Sequence, residues 1–197
     1  MSNKGFKKVE FIKSVYKLSE LPPPKYREIA ILGRSNAGKS SLINALLNQK
    51  GIARVSSTPG FTKALNFFLI DNKIYLVDLP GYGFAKVPKE MYSLWKELIE
   101  GYFQSKRDFA LLILIFDIRR TPDHLDLSLV EFVKKLRIPY LIVLNKKDTL
   151  KEIKIKEQIK VYHEKFLLSQ DAPLFVISCK TKEGLQELHS FIEKIAY

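Results

Sequence analysis

A mostly parallel α/β sheet covered by helices on both faces is the fold that this 197-residue sequence predicts, and two observations carry the prediction. Five short apolar runs, Ile29 to Leu32, Ile74 to Val77, Leu111 to Phe116, Leu141 to Leu144 and Leu174 to Ile177, alternate with helix-like stretches. That is the rhythm of parallel strands buried on both sides. The first run opens into Gly33-Arg34-Ser35-Asn36-Ala37-Gly38-Lys39-Ser40, which matches GxxxxGK[ST]. Such a loop joins a strand to a helix and turns backbone N–H groups toward phosphates. With 46% hydrophobic residues, the chain suffices for the full core of one α/β domain.

From the N-terminus, residues 1–27 carry seven Lys or Arg against two Glu. Within them Val9-Glu10-Phe11-Ile12-Lys13-Ser14-Val15-Tyr16 fits either an added strand or a docking segment. Leu21-Pro22-Pro23-Pro24 is stiff and cannot continue a helix, so residues 1–24 are read as a basic extension and 25–197 as the nucleotide domain. Arg27 to Leu32 reads as the strand entering the loop, and Leu42, Ile43, Leu46 and Leu47 as the apolar face of the helix leaving it. Ser56-Ser57-Thr58-Pro59-Gly60-Phe61-Thr62-Lys63 is a polar loop. The alternating segment Leu65 to Ile70 follows it, and the Asp71-Asn72 turn after that makes this the one antiparallel strand. Lys73 to Asp78 is a strand ending in Asp78-Leu79-Pro80-Gly81, or DxxG, with Gly83 as a hinge. Tyr92, Trp95, Leu98, Ile99 and Tyr102 belong to a helix in which some of the aromatic set is core, with a partner surface as the alternative for the rest. Asp123, His124 and Asp126 lack a metal-binding spacing and read as a solvated helix start. Ile155, Ile159, Tyr162 and Phe166 form a core stripe, with Lys151, Lys154, Lys156, Lys160 and Lys165 on the other faces of that helix.

The motifs assign chemistry in chain order. Lys39 brings positive charge to the β- and γ-phosphates, and Ser40 offers a hydroxyl to Mg²⁺. Asp78 reaches Mg²⁺ through a water, and the Gly81 N–H meets a γ-phosphate, so the following loop is ordered by the triphosphate alone. Thr62 or Thr58 supplies a second Mg²⁺ hydroxyl, and composition does not separate them. The run Tyr140 to Leu144 ends in Asn145-Lys146-Lys147-Asp148, or NKxD. A carboxylate there accepts from guanine N1–H and the 2-amino group, whereas adenine has no donor at either place. An unpaired buried polar group is the strong form of discrimination, which selects GTP over ATP.

These elements in this order resemble the translation-factor-related class of small P-loop GTPases, with a Ras-like domain. The strings GRSNAGKSSLINAL, STPGFTKALNFF, DLPGYGFAKV, NKKD and Ser178-Cys179-Lys180 are similar to the EngB (YihA/YsxC) family of bacterial ribosome-assembly GTPases, from about Val9 to Ile195. The resemblance implies GTP/GDP contacts from Gly33, Arg34, Ser35, Asn36, Ala37, Gly38, Lys39 and Ser40. It extends them to Gly60, Phe61, Thr62, Lys63 and Ala64, and to Asp78, Leu79, Pro80 and Gly81. For the base it implies Asn145, Lys146, Lys147, Asp148, Ile177, Ser178 and Cys179, the last through its backbone N–H. It favours Thr62 over Thr58, so that Ser40, Thr62 and Asp78 form the Mg²⁺ set. Phe61, Lys63 and Cys179 depart from the family's usual residues without affecting nucleotide binding.

Hydrolysis is assigned to Lys39, Thr62, Gly81 and Asn36. Tyr82 stands where Ras-like enzymes carry the glutamine that orients water, which predicts slow intrinsic turnover. Related GTPases with asparagine at the place of Asn36 bind potassium beside the phosphates, so potassium-stimulated turnover is expected.

Net charge is +12, from 33 basic and 21 acidic residues, more than a nucleotide requires. It points to a polyanion, with Lys7, Lys8, Lys13, Lys17, Arg119, Arg120 and the lysine-bearing helix as candidate phosphate contacts. With the resemblance, the expected partners are rRNA and a precursor of the large ribosomal subunit; neither DNA nor a membrane is expected. The rival is a signalling or membrane-associated switch acting through a protein effector. A further rival is a nucleotide-gated RNA chaperone whose hydrolysis is irrelevant. The single cysteine fits a reducing cytoplasm, and the N-terminus has no apolar stretch of signal-peptide length. The absence of a long heptad pattern leads to the expectation of a monomer.

Overall fold

The computed structural model describes residues 6, 8–49, 51–53, 64–83, 89–169 and 172–196. Among them the strands are β1 (Val9–Val15), β2 (Arg27–Gly33), β3 (Leu65–Ile70), β4 (Ile74–Asp78), β5 (Phe109–Asp117), β6 (Tyr140–Asn145) and β7 (Leu174–Val176). The α-helices are α1 (Lys39–Leu46), α2 (Lys89–Gln104), α3 (His124–Leu136), α4 (Glu152–Phe166) and α5 (Leu185–Ala196). All strands join one sheet in the order β1-β3-β4-β2-β5-β6-β7. Only β3 runs against its neighbours, antiparallel to β1 and to β4, while β2, β4, β5, β6 and β7 pair in parallel. This is the Ras-like α/β arrangement, and the alternating segment at Leu65–Ile70 is its reversed strand.

The sheet separates two cores, as near-continuous apolar strands require. On one face Leu112, Leu114 and Ile142 meet Leu98, Tyr102, Val130, Val133, Tyr162 and Phe166 from α2, α3 and α4. On the other, Ile29, Ile31, Ile113 and Val143 meet Leu42 and Ile43 of α1 and Leu188 and Ile192 of α5. Leu42 and Ile43 are fully buried, each worth about 1.5–3 kcal/mol of apolar transfer, which anchors the eight-residue α1 behind the phosphate loop. Leu98, Ile99 and Tyr102 are core, whereas the side chains of Tyr92 and Trp95 lie outside the described residues. In α4, Ile155, Tyr162 and Phe166 are buried, and its four lysines and the preceding Lys151 are exposed. Lys154 and Lys160 pair along the helix with Glu157 and Glu164.

The N-terminal segment resolves to a strand. β1 pairs with β3 from Val9↔Ile70 to Val15↔Leu65, with a bulge between Phe11 and Lys13, and Ser14 Oγ lies 2.7 Å from Asn66 Oδ1. The Pro22–Pro24 boundary therefore divides the chain in sequence rather than in space. Arg107 donates from Nη1 to the Pro22 carbonyl at 2.9 Å and from Nε to the buried Glu28 carboxylate at 2.6 Å. Tyr102 donates its hydroxyl to the same carboxylate. Burial raises the Glu28 pKa despite the opposing pull of Arg107 and Tyr102.

Candidate functional site

The phosphate loop is built by close approaches that only glycine permits. At Gly33 a Cβ would stand 2.4 Å from Ile115 Cγ2 and 2.8 Å from the Ile115 carbonyl oxygen, so β2 meets β5 without a side chain between them. Gly38 has φ +100°, and a Cβ there would fall 2.2 Å from Asn145 Nδ2. It is the N-cap of α1, whose free N–H groups open toward the loop. Asn36 also adopts a left-handed backbone, at φ 66°.

The base loop is tied to this loop by two neighbouring side chains. Asn145 donates from Nδ2 to the Ala37 carbonyl at 3.0 Å and accepts the Cys179 N–H at 3.1 Å. Lys146, at φ 73°, donates from Nζ to the Asn36 carbonyl at 2.6 Å and to Asp117 Oδ2 at 2.8 Å. Asp148 is exposed and is oriented by Ser178, whose hydroxyl donates to it at 2.6 Å while accepting the Lys180 and Thr181 N–H groups. Ile177 and Ser178 are fully buried, and the Ile177 carbonyl accepts from the Lys147 N–H at 3.0 Å. The Lys147 side chain turns away to Glu183, 3.0 Å distant. Burial, with the negative charge of Asp148, pushes the Cys179 thiol up to about 12, so it is a packed group and not a nucleophile.

On the phosphate side Lys39 and Asp78 are both buried and paired through Nζ and Oδ1. The other Asp78 oxygen lies 3.4 Å from Asn66 Nδ2 of β3. Leu79 and Pro80 are buried, the Leu79 N–H donating to the Ile31 carbonyl at 3.1 Å. A Cβ on Gly81 would be 3.4 Å from both the Gly33 carbonyl oxygen and the Ser35 nitrogen, which places this residue against the phosphate loop. Gly83 has φ +77°, in keeping with a turn at the proposed hinge. Ala64, Ser40 and the remaining loop residues Arg34, Ser35 and Ala37 are described, whereas Thr58, Gly60, Phe61, Thr62 and Lys63 lie outside the described residues.

Tyr82 faces away from a water-orienting role. Its backbone bridges Arg34, exchanging Ser35 N–H to Tyr82 carbonyl at 2.9 Å and Tyr82 N–H to Gly33 carbonyl at 3.3 Å. Its hydroxyl donates to Asp126 Oδ1 at 2.7 Å, and burial beside the Asp126 carboxylate raises its pKa. Asp123 caps α3 by accepting the Leu125 and Asp126 N–H groups, and Asp126 accepts the Asp123 N–H at 3.0 Å in return. Arg34 completes the cluster by pairing with Asp123 and, at 3.5 Å, with Asp126. The helix start expected at Asp123-His124-Asp126 is present, but Asp126 is only 3% exposed and is not solvated. Among the described residues, no group of three or more His, Cys, Asp or Glu side chains is placed to hold a metal ion.

Sequence reasoning missed Asp117 as well. It ends β5 in register with Asn145 and accepts from Arg119 Nε at 2.9 Å, Arg119 Nη2 at 2.6 Å and the Arg119 N–H at 3.1 Å, besides Lys146. Burial raises its pKa, but the hydrogen bonds from Arg119 and Lys146 outweigh it and hold the carboxyl at about 2. Asp117, Asp126, Asn36 and Lys146 line a cavity of about 390 Å³ floored by Phe116 and Tyr162. The readable signal was position: charged residues at the carboxyl end of a parallel strand, where α/β sites form.

Residues 28–146 match the family described as 50S ribosome-binding GTPase. A probable GTP-binding protein EngB from Petrotoga mobilis is 44% identical over 191 residues, covering 95% of both chains. A crystal structure of a probable GTP-binding protein engB superposes with a TM-score of 0.72 at 26% identity, covering 86% of this chain and 98% of that one. Era, solved with MgGDPNP and nucleotides 1506–1542 of 16S ribosomal RNA, superposes with a TM-score of 0.67 at 26% identity, over 88% of this chain and 57% of that one. With a relative 44% identical over nearly the whole of both chains, the chain belongs to the EngB family of GTPases.

Proposed function

We propose that GTP binding and hydrolysis drive this GTPase onto and off a precursor of the large ribosomal subunit, with rRNA as the contacted polyanion. The observation that carries the reading is the match of residues 28–146 to a family described as 50S ribosome-binding. The net charge of +12 supports an rRNA contact, as does the likeness to Era, whose solved complex contains 16S ribosomal RNA. The place of action is the cytoplasm and the acting unit a monomer; among the described residues, no helix is long and apolar enough to cross a membrane.

Ser40, Thr62 and Asp78 would hold Mg²⁺. The donors fit: Ser40 and Asp78 offer hard oxygens at the two loops that flank the phosphates, and Asp78 turns only one of its oxygens to Lys39. Held there, the ion would supply positive charge to offset that of the phosphates. Lys39 exchanges Asp78 for a phosphate oxygen, the Gly81 N–H donates to the γ-phosphate, and Asp148, held by Ser178, accepts from guanine. Hydrolysis removes the Gly81 contact and releases the loop that follows. Asn36 marks the potassium site, and turnover is slow in its absence because Tyr82 is committed to Asp126.

The test is co-sedimentation with ribosomal subunits and their precursors under GTP, GDP and a non-hydrolysable GTP analogue at two salt concentrations. Triphosphate-dependent enrichment on large-subunit particles that weakens with salt is expected. GTP-dependent binding to a protein effector with little salt dependence would replace the reading. Equal turnover in potassium and sodium would remove the potassium assignment.

A further inference from the structure

We propose that Asp117 is a positioning residue for guanine-nucleotide binding, acting through Lys146 to lock the base loop onto the phosphate loop. The Lys146 ammonium joins two loops whose backbones are both left-handed at the junction, Asn36 at φ 66° and Lys146 itself at φ 73°. That conformation is common for asparagine and uncommon for lysine, so Lys146 is the residue whose placement needs a hold. The hydrogen bond from Lys146 Nζ to the Asn36 carbonyl, at 2.6 Å, is that hold, and Asp117 Oδ2, 2.8 Å from the same nitrogen, aims it.

Asp117 is itself fixed from several sides. Arg119 grips its carboxylate with a two-pronged guanidinium contact and a backbone N–H, and Tyr162 of α4 donates its hydroxyl to the Asp117 carbonyl at 3.1 Å. The Ile118 N–H donates to the Asn145 carbonyl at 3.0 Å, so the strand ends bearing Asp117 and Asn145 move as one. Among the described residues the hydrogen bonds of the carboxylate run to Arg119 and Lys146. Its effect on a nucleotide passes through the lysine, whose placement sets the distance between the two halves of the site. A 1 Å error there separates base contacts from phosphate contacts that a nucleotide must make together.

The experiment is a double-mutant cycle on GDP and GTP affinity and dissociation rate, using Asp117→Asn, Lys146→Met and the pair. Thermal unfolding of each nucleotide-free protein is measured alongside. Asp117→Asn should weaken both nucleotides about tenfold through faster dissociation, the scale of one charge-assisted hydrogen bond. In the Lys146→Met background the same change should cost less than twofold, because the lysine through which it acts is gone. Full additivity of the two losses would overturn the proposal, as would an unchanged affinity in Asp117→Asn whether or not its unfolding temperature falls. Arg119→Gln serves as a second variant, expected to weaken binding by a smaller factor that also vanishes without Lys146.

Discussion

Glu28 and Asp117 stand at opposite ends of the same sheet, each carboxylate gripped by an arginine and buried, yet their environments push them in opposite directions. Glu28 pairs beside Phe109 at the start of β5, fully enclosed by Arg107 and Tyr102, and burial wins: its pKa is raised. Asp117 ends β5 at the rim of a cavity with Arg119 and Lys146, and hydrogen bonding wins: its pKa falls to about 2. The first cluster ties β2, β5 and the chain segment at Pro22 together, and the second joins two loops that must close around a ligand. Similar side chains thus serve structure at one end and recognition at the other, and what separates them is the balance between burial and the hydrogen bonds each carboxylate accepts.

The largest effect should come from breaking the enclosed cluster. Arg107→Met leaves Glu28 buried without its cation and should cost about 3–5 kcal/mol in urea unfolding, with the nucleotide affinity of the folded protein unchanged. A loss below 1 kcal/mol would mean that Tyr102 alone satisfies the carboxylate. Next, Gly38→Ala puts a Cβ onto Asn145 Nδ2 in a left-handed residue. GDP affinity should fall by roughly ten- to a hundredfold with little change in unfolding at the other end of the sheet.

Acid separates the two carboxylates further. Asp117 has a depressed pKa, so its stabilisation is present above its ordinary value of 3.8 and is lost as the pH falls toward about 2. Glu28 has a raised pKa, so its contribution is greatest below its ordinary value of 4.5 and is lost as the pH rises through its folded value. Asp117→Asn should remove about 1 kcal/mol of the stability difference between pH 5 and pH 3, read from urea midpoints. The smallest effect is expected from Tyr82→Phe, about 1 kcal/mol from the lost bond to Asp126, with GTP turnover unchanged. A fall in turnover would return the phenol to the reacting centre.

The nucleotide-reading elements were legible because their chemistry is local in sequence. GxxxxGK[ST], DxxG and NKxD each compress a turn and its ligand contacts into a few residues, and the strands that carry them are plain apolar runs. The alternating pattern at Leu65–Ile70 likewise identified the reversed strand. β1 was open because an edge strand with Phe11 and Lys13 exposed or half-buried has no decisive pattern, and its partner Asn66 is 52 residues from Ser14. Asp126 was read as solvated because nothing near it announces Tyr82, 44 residues back. Asp117 escaped for the same reason, since its meaning depends on Lys146, 29 residues on.

The bridge from Asn145 to the Ala37 carbonyl spans 108 residues, and Asn145 is in turn held by the Cys179 N–H. During synthesis the phosphate loop is therefore made early, and its brace is complete only after the chain has passed its last strand. A chain that stops short of Cys179 has Asn145 without the backbone N–H that holds its side-chain oxygen.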